Sequence, residues 1–368
     1  MNPFIISGYK SPKYFCDRKK ETKRLISAIQ NSRNVTLVSE RRLGKTGLLK
    51  HVENQLSGDI AFIYIDLYPS LDLNDFIQLL SNGIIHKLEP FSEKVMKKIT
   101  GFFSAFNPKF SFDPVSGSPN LEFSISNKAE ADKSIGMLFE YIRNSGKKVS
   151  VAFDEFQQIM NYPEKNVEAI LRSEIQKDTE TCFVFSGSQT HLLISMFNEY
   201  SRPFYQSTEV MELGKIEKEE YTPFISAHFE ENRKNLNLTT AEFIYEINRG
   251  ITYNMQYTCN RLFALDNETI SEERVKNLMN QIVKENEIFY YNYRGLVSSL
   301  QYKILKAVAK EETVEKPLSN SFIKKYNLGS PSSVKSGIEN LLKKSLLSNQ
   351  KNLRVTDWYF SLWLQKQL

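Results

Sequence analysis

The sequence predicts an α/β protein built on a parallel β-sheet with helices on both faces, followed by a helical region and a small C-terminal module. Up to about residue 214, short apolar segments alternate with amphipathic helical segments. Near-continuous apolar strands separated by helices are typical of a parallel sheet that is covered on both faces. After residue 214 the strand pattern stops, and residues 297–368 hold 12 Lys and Arg against 5 Asp and Glu, whereas the net charge of the whole chain is +5. This asymmetry indicates a basic module at the end of a near-neutral body.

Five strands and five helices are predicted in the first part of the chain. The predicted strands are 34–39, 60–67, 149–154, 181–187 and 208–213, and the predicted helices are 18–30, 44–55, 73–88, 129–144 and 164–176. Asp17 is the predicted N-cap of the first helix. Alternating apolar residues around Pro114 and Gly117 predict an additional β-hairpin inserted at about 105–127. This hairpin is either a partner-binding flap or a packed surface hairpin.

The composition excludes several classes of protein. With 41% hydrophobic residues the chain can bury a sizeable core, which excludes a mainly disordered protein. No apolar run approaches the roughly 20 residues of a membrane helix, and the N-terminus lacks the pattern of a secretory signal. The three cysteines, Cys16, Cys182 and Cys259, are far apart in the sequence, which favours a reducing compartment. We therefore expect a cytoplasmic protein without a membrane partner.

A glycine-containing loop between the first predicted strand and the next helix carries most of the functional information. It comprises Ser39, Glu40, Arg41, Arg42, Leu43, Gly44, Lys45, Thr46 and Gly47. A strand before such a loop and a helix after it form the context of a P-loop, in which backbone N–H groups and the helix N-terminus bind phosphate oxygens. In this interpretation Lys45 reaches the β- and γ-phosphates and the Thr46 hydroxyl binds Mg²⁺. Ser39 stands where the motif has its first glycine, so the loop departs from the motif at that position.

A second signal is the pair of carboxylates, Asp154 and Glu155, that ends the apolar run 149–154. Carboxylates at the carboxyl edge of a parallel sheet face the same crevice as a P-loop. We expect Asp154 to hold Mg²⁺ through its water shell and Glu155 to orient the attacking water. The two segments together predict a nucleotide-binding site.

Several polar residues near the predicted site have two interpretations each. Ser186 and Ser188, at the end of the strand 181–187, are candidate sensors of the γ-phosphate, and Ser188 is alternatively a helix N-cap. Arg202 either contacts the γ-phosphate, in its own subunit or in a neighbouring one, or is a solvated loop residue. Arg41 and Arg42 either bind phosphate or pair with acidic residues of the helical region.

These motifs resemble those of the archaeal-type ATPase family, which are P-loop NTPases related to the AAA+ and STAND groups. The resemblance implies ATP as the nucleotide and an ASCE-type sheet, in which an extra strand lies between the P-loop strand and the acidic strand. Gln206 and Ser207 replace the Gly-Arg pair with which the family's Pro/Tyr segment usually ends, so Arg202 is the candidate substitute. The resemblance rests on residues 14–18 with Glu21, on 41–46, on 153–155, on 185–188, on the segment near Arg202 and on the C-terminal tail 355–364.

The basic C-terminal module is predicted to be a winged helix, which members of this family often carry. Helices are predicted at 301–309, 318–326 and 330–344, and a wing hairpin at 346–355, with Ser330 as the N-cap of the third helix and Pro331 as its first residue. The recognition helix would present Ser332, Ser333, Lys335 and Ser336. The lysines either contact DNA phosphates or form a solvated face. Candidate phosphate contacts are Lys324, Lys325, Lys335, Lys343 and Lys344.

The sequence thus predicts an NTPase domain at 1–214, a helical lid at 215–296 and a winged helix at 297–368. The first functional hypothesis is a Mg²⁺-dependent ATPase, with Glu155, Lys45 and Arg202 as catalytic residues, that acts as a conformational switch. The alternative is a nucleotide-dependent DNA-binding regulator or protein-interaction scaffold with little turnover. DNA, a protein partner and a second copy of the chain are the candidate macromolecular partners.

Overall fold

A computed structural model describes residues 1–56, 58–89, 101–102, 109–112, 119–122, 128–265, 269–349 and 352–367. The chain divides into two compact units. The sheet unit consists of Ser7–Ile216, and the helical unit joins the N-terminal segment Met1–Ile6 to Glu217–Leu368. The end of the sheet unit lies two residues beyond the predicted boundary at 214. The predicted division of the second unit near residue 296 stays a prediction.

The sheet unit is built on a five-stranded sheet in which all neighbouring strands are parallel. The strands of the protein are β1 (Val35–Ser39), β2 (Ala61–Asp66), β3 (Lys109–Phe112), β4 (Pro119–Glu122), β5 (Val149–Asp154), β6 (Cys182–Gly187), β7 (Glu209–Leu213), β8 (Leu347–Asn349) and β9 (Leu353–Val355). The order in the large sheet is β2-β5-β6-β1-β7. Strand β6 therefore lies between β1, which leads into the loop, and β5, which ends in Asp154. The predicted fold class is confirmed.

Helices cover both faces of this sheet. The helices α1 (Lys19–Gln30) and α2 (Lys45–Leu56) pack on one face, and α3 (Leu73–Leu88), α4 (Lys128–Arg143), α5 (Val167–Gln176) and α6 (Thr190–Asn198) pack on the other. Side chains alternate along β5, so that Val151 and Phe153 join the four-helix layer and Ala152 joins the two-helix layer. Because both layers are apolar, the strand interiors are mostly apolar, and the charged side chains of the site lie at the strand ends.

The predicted N-cap of α1 is wrong. The N-cap position is Arg18, and its side chain does not cap the helix. Asp17 and Arg18 both have a positive φ, 48° and 61°. The guanidinium of Arg18 is buried on backbone carbonyls of the loop and of the end of β7. The apolar pattern places the helix to within one residue, but these tertiary contacts, rather than a local cap, determine the backbone at its start.

The predicted hairpin is present as the antiparallel pair β3–β4, in which Phe110 lies opposite Leu121. The rest of the predicted 105–127 segment, residues 105–108, 113–118 and 123–127, lies outside the described residues. Whether this pair is a partner-binding flap or a packed surface hairpin stays open.

The helical unit begins with five helices and the N-terminal segment of the chain. Phe4 is 1% exposed and packs against the rings of Phe229 and Phe263. Asn2 and Asn260 close this contact, because each side-chain amide donates to a backbone carbonyl of the other segment. These helices are α7 (Lys218–Glu231), α8 (Leu238–Ile247), α9 (Thr252–Phe263), α10 (Glu272–Glu285) and α11 (Glu287–Gly295). No helix among the described residues is long and apolar enough to cross a membrane.

The C-terminal elements follow the order predicted for a winged helix. The helices α12 (Ser299–Glu311), α13 (Asn320–Lys325) and α14 (Pro331–Lys343) precede the antiparallel pair β8–β9, and α15 (Trp358–Lys366) ends the described chain. The Ser330 hydroxyl accepts from the Ser333 N–H, and Pro331 is the first residue of α14, so this cap is confirmed. Trp358 Nε1 donates to the carbonyl of Ile247 at 2.8 Å, which anchors α15 on α8 within the helical unit.

Candidate nucleotide-binding site

The loop between β1 and α2 has the backbone of a tight turn. Arg42 and Gly44 have φ values of 68° and 95°. The next residue, Lys45, starts α2, so the N–H groups of the first helical turn lack partners within the helix and are available to an anion. Ser39 does not have a positive φ, so this position does not require the glycine of the motif. The departure from the motif at Ser39 is therefore accommodated without backbone strain.

Lys45 is held inside the loop beside the carboxylates of β5. It is 7% exposed, and its Nζ donates to the Ser39 carbonyl at 3.4 Å. Burial lowers the pKa of Lys45, while Glu155 and Asp154 act in the opposite direction. The Ser39 carbonyl also accepts from Thr190 Oγ1 at 3.1 Å. The ammonium group is thus placed at the carboxyl edge of the sheet, where a bound phosphate would meet it.

Asp154 is the centre of the site, and each of its carboxylate oxygens accepts two hydrogen bonds. Oδ2 accepts from Thr46 Oγ1 at 2.8 Å and from the Tyr64 hydroxyl at 2.9 Å. Oδ1 accepts from Ser186 Oγ at 2.8 Å and from the Glu155 N–H at 3.1 Å. These donors come from α2, β2, β6 and the chain after β5, so four segments fix one carboxylate. Thr46 and Asp154, which are both predicted to bind Mg²⁺, are 108 residues apart in the sequence and are in direct contact.

Tyr64 and Asp66 were not predicted as site residues. Burial and Asp154 raise the pKa of Tyr64, so the phenol stays protonated and donates. Asp66 ends β2 directly opposite Asp154, and burial together with the Asp154 and Glu155 charges raises its pKa. The available signal was the polar group that each residue carries in or at the end of an apolar strand. The strand order that places β2 beside β5 was not deducible from that signal.

Glu155 occupies a strained position just after β5. Its φ is 53°, in the left-handed region that non-glycine residues rarely adopt. Its Oε2 accepts from Gln157 Nε2 at 2.5 Å, from Ser188 Oγ at 2.9 Å and from the Ser188 N–H at 3.2 Å. These contacts fix the carboxylate at the end of the strand rather than leaving it solvated.

The candidate γ-phosphate sensors contact the two carboxylates. Ser186 donates to Asp154 and Ser188 donates to Glu155. The predicted N-cap at Ser188 is wrong, because the N-cap position of α6 is Gln189. The hydroxyl of Ser188 donates to the charged Glu155 carboxylate, and hydrogen bonds to ionised acceptors are stronger than those between neutral groups. The γ-phosphate role of both serines stays a prediction.

The candidate arginines lie in different surroundings. Arg202 forms an ion pair with Glu168 of α5, and burial raises the pKa of Glu168 against the effect of Arg202. Arg41 and Arg42 are exposed on the loop, while Glu40 is half-buried and Leu43 is buried. A Cβ at Gly47 would lie 3.5 Å from the Phe15 ring, an ordinary contact. The roles predicted for these loop residues and for Arg202 stay predictions.

Arg18 joins the loop to the end of the sheet unit. It is 2% exposed, and its Nη2 donates to the carbonyls of Leu43 at 3.0 Å and Gly214 at 2.8 Å. Its Nη1 pairs with Glu21 at 3.1 Å, and burial lowers the pKa of Arg18 against the effect of this pair. The peptide that accepts this bond at Leu43 carries the Gly44 N–H, which a phosphate would meet. Arg18 therefore polarises a phosphate-binding peptide.

The oxygens of Thr46 and Asp154 fit a magnesium ion. Mg²⁺ prefers hard oxygen ligands and is usually held by one or two protein groups together with phosphates and waters. A hydroxyl and a carboxylate 2.8 Å apart at the start of the loop helix supply such a pair. Among the described residues, no group of three or more His, Cys, Asp and Glu is arranged to hold a metal ion by itself.

The loop after β1 has the form of a phosphate-binding loop, and β5 ends in two carboxylates at the same edge of the sheet. Strand β6 lies between β1 and β5. This arrangement defines a P-loop nucleotide-binding protein. Residues 15–257 match the family described as the ATPase domain predominantly from Archaea, and the chain belongs to this family. Residues 288–366 match a probable winged helix domain. Family membership supports ATP as the nucleotide.

Solved structures share this fold at low sequence identity. The Walker-type ATPase of Pyrococcus abyssi has 19% identity and a TM-score of 0.68, with 99% of each chain covered. The ORC2 protein of Aeropyrum pernix, in ADPNP-ADP complexes, has 13% identity and a TM-score of 0.60, covering 99% of this chain and 96% of that chain. The Aeropyrum pernix ORC1 protein in complex with DNA has 12% identity and a TM-score of 0.51, covering 96% and 93%. Among curated proteins, none matches this chain.

Proposed function

We propose that this protein is a Mg²⁺-dependent ATPase that converts ATP to ADP and phosphate. The observation that carries the proposal is the direct contact between Thr46 and Asp154 at 2.8 Å, with Glu155 fixed beside it. This geometry brings together a phosphate-binding loop, a carboxylate placed to hold the metal (Asp154) and a second carboxylate that is not one of the proposed metal ligands (Glu155). Binding alone requires the first two, whereas hydrolysis also requires the third.

Each residue has a role that follows from its position. The loop N–H groups and Lys45 bind the β- and γ-phosphates, and Thr46 and Asp154 hold the magnesium ion, directly or through water. The magnesium ion, when bound, neutralises charge that develops on the phosphate oxygens. Glu155 orients the attacking water and accepts its proton. Arg202 reaches the γ-phosphate only if its ion pair with Glu168 opens, so its assignment as a catalytic residue depends on a rearrangement.

Phosphate release from ATP in the presence of Mg²⁺ tests the proposal. Wild-type protein is compared with Lys45→Ala and Glu155→Gln. Turnover in the wild type and its loss in both variants would support the assignment. A wild type that binds ATP but shows no turnover would contradict it and favour the regulator or scaffold described below.

We expect Tyr64→Phe to raise the Mg²⁺ concentration that turnover requires, without unfolding the protein. The change removes one of the two donors to Asp154 Oδ2 and leaves the ring beneath the ammonium of Lys50, whose Nζ lies 4.0 Å from the ring centroid. Losing a hydrogen bond to a charged group shifts an equilibrium by about tenfold. The Mg²⁺ concentration for half-maximal turnover should therefore rise by up to about tenfold, with an unchanged Tm. Equal Mg²⁺ dependence in Tyr64→Phe and wild type would show that Tyr64 does not act on Asp154.

Hydrolysis is proposed to drive a conformational switch in a cytoplasmic protein. Contacts made only with the γ-phosphate would favour one arrangement of the two units, and phosphate release would end that preference. Such switches usually act on another molecule, for which a protein partner or a second copy of this chain is a candidate.

A second candidate function is nucleotide-dependent DNA binding with little turnover. It is supported by the exposed residues Ser332, Ser333, Lys335 and Ser336 on α14, and by the DNA complex of the ORC1 protein. Of the candidate lysines, Lys325 pairs with Glu311, and Lys344 donates to the carbonyl of Leu296. Those two lysines are partly engaged within the helical unit. Of the exposed lysines Lys324, Lys335 and Lys343, Lys335 is tested first because it lies among the predicted recognition-helix residues.

If the winged helix binds DNA, Lys335→Ala should weaken binding to all sequences equally. A lysine that contacts a phosphate contributes about one unit to the slope of log affinity against log salt. Fluorescence anisotropy with duplex DNA at several salt concentrations measures this slope, with exposed Lys165→Ala of the sheet unit as the matched control. A slope that is equal in all three proteins would remove α14 from the DNA interface. Point variants are preferable to deletion, because α15 is anchored on α8.

A further inference from the structure

We propose that Gln157 is a positioning residue for Glu155, and that position 187 is glycine because the Gln157 amide fills the space of a side chain there. The inference rests on the proposed ATPase function and deepens it. It concerns which oxygen of the Glu155 carboxylate faces the attacking water. Gln157 does not touch the nucleotide in this proposal and acts through Glu155.

The hydrogen bonds of Glu155 are concentrated on one oxygen. Gln157 Nε2, Ser188 Oγ and the Ser188 N–H all donate to Oε2. Three donors saturate this oxygen, and within the described part of the chain no donor binds Oε1. A carboxylate held in this way presents Oε1 as its acceptor. A general base needs such a fixed acceptor within hydrogen-bond reach of the water.

The orientation of the Gln157 amide follows from its surroundings. If the amide were reversed, its oxygen would face the carboxylate oxygen of Glu155, and two acceptors would repel each other. With Nε2 toward Glu155, Oε1 of Gln157 is buried and has no hydrogen-bond partner. A buried unpaired acceptor costs free energy. The bond from Gln157 Nε2 to Glu155 is therefore made although it leaves Gln157 Oε1 without a partner.

Gly187 provides the room for this amide. A Cβ built on Gly187 would lie 2.0 Å from Gln157 Oε1 and 3.1 Å from its Cδ. Gly187 is the last residue of β6, and its φ is not positive, so its backbone conformation does not require glycine. A side chain at this position would instead meet the Gln157 amide, which would have to move.

The chain around Gln157 is rigid enough to hold the arrangement. Gln157 belongs to the short 3-10 helix Phe156–Asn161 and is 4% exposed. Phe156, its neighbour, is fully buried and packs on Phe185 and Phe204, with ring centroids 4.6 Å and 5.6 Å away. The anchored backbone fixes the point from which the Gln157 side chain reaches Glu155.

The test measures kcat, KM and nucleotide affinity in Gln157→Met, which keeps the side-chain volume and removes the donor. We expect kcat to fall about tenfold to a hundredfold, as for the loss of one hydrogen bond to a charged group. KM and the Kd for a fluorescent ATP analogue should stay within about twofold, since the phosphate-binding residues are unchanged. Gln158→Met is the matched control: Gln158 Nε2 donates to the Ser70 carbonyl at 2.9 Å instead, so kcat should be unchanged.

The link to Gly187 is tested by a double-mutant cycle. Gly187→Ala alone should lower kcat, because the new Cβ displaces the Gln157 amide. In a Gln157→Ala background the same change should have no further effect, since the displaced group is already absent. An equal loss from Gly187→Ala in both backgrounds would overturn the inference. If Gly187→Ala does not fold, the Gln157→Met and Gln158→Met pair decides.

The outcomes separate this inference from the function on which it rests. An inactive wild type overturns both. An active wild type with an inactive Glu155→Gln variant and an unchanged kcat in Gln157→Met overturns the positioning role and leaves the ATPase in place. A raised KM in Gln157→Met, with kcat unchanged, also overturns it, because the residue would then act on binding.

Discussion

Glu155→Gln is expected to bind ATP with Mg²⁺ as the wild type does, while kcat falls by about 100-fold to 10,000-fold, the usual contribution of a positioned general base. The amide is nearly isosteric with the carboxylate, and its oxygen still accepts from Ser188. It cannot take a proton from water at neutral pH. The proposed metal ligands Thr46 and Asp154 keep their contact with each other, and the bond from Glu155 to Asp154 Oδ1 comes from the backbone N–H, which the substitution leaves in place. Phosphate release measures kcat, and titration with a fluorescent ATP analogue measures binding.

Glu199→Gln is the matched control for this change, since Glu199 is exposed after α6 and lies outside the site. Its kcat should equal that of the wild type. If Glu155→Gln and the control retained equal turnover, Glu155 would not be the base. If Glu155→Gln lost nucleotide binding as well as turnover, Glu155 would belong to the binding site instead. Both results would require another residue to orient the water.

Much of the fold could be predicted because the signals are local. Helix α3 and strand β5 begin and end where the apolar pattern places them, at 73–88 and 149–154. A strand buried on both faces is apolar along most of its length, and the end of β5 is marked by its first charged residue, Asp154. The failures are also local in origin. Asp17 and Ser188 are predicted as caps from their neighbours in sequence, whereas Arg18 occupies the first cap position and Ser188 bonds Glu155. The partners of Arg18 and Ser188 come from other segments of the chain.

The candidate site was predicted as a set of residue types but not as a set of contacts. The loop is recognisable because phosphate binding demands Gly, Lys and Thr at fixed spacing, and the acidic strand because an apolar run ends in two carboxylates. Tyr64 and Gln157 contribute a single donor each, and no spacing rule connects them with Asp154 or Glu155. Their contribution depends on the strand order and on the glycine at 187, which become visible only when the chain is folded.

Lys45→Met is expected to abolish nucleotide binding at concentrations that saturate the wild type, and at the same time to leave the unliganded protein at least as stable. The ammonium group supplies the one loop cation that the described structure buries, and phosphate binding depends on it. Without ATP, however, the buried ammonium group lowers the free energy of unfolding. Burial lowers the pKa of Lys45, which means that the fold disfavours the charged form of this side chain. A methionine of similar length removes this cost and fills the same space.

Thermal unfolding with and without ATP and Mg²⁺ separates the two effects. A ligand that binds only the folded state at 100 times its Kd stabilises it by about 2.7 kcal/mol, so the wild-type Tm should rise by several degrees with nucleotide. The Tm of Lys45→Met should be equal to or above that of the unliganded wild type and should not respond to ATP. Lys23→Met, on the exposed face of α1, is the control and should respond as the wild type does. A Lys45→Met variant that unfolds at a lower temperature without nucleotide would show instead that the pairing of Lys45 with Asp154 and Glu155 outweighs its burial. In that case Lys45 would stabilise the unliganded site, and phosphate binding would not relieve a free-energy cost of burying its ammonium group.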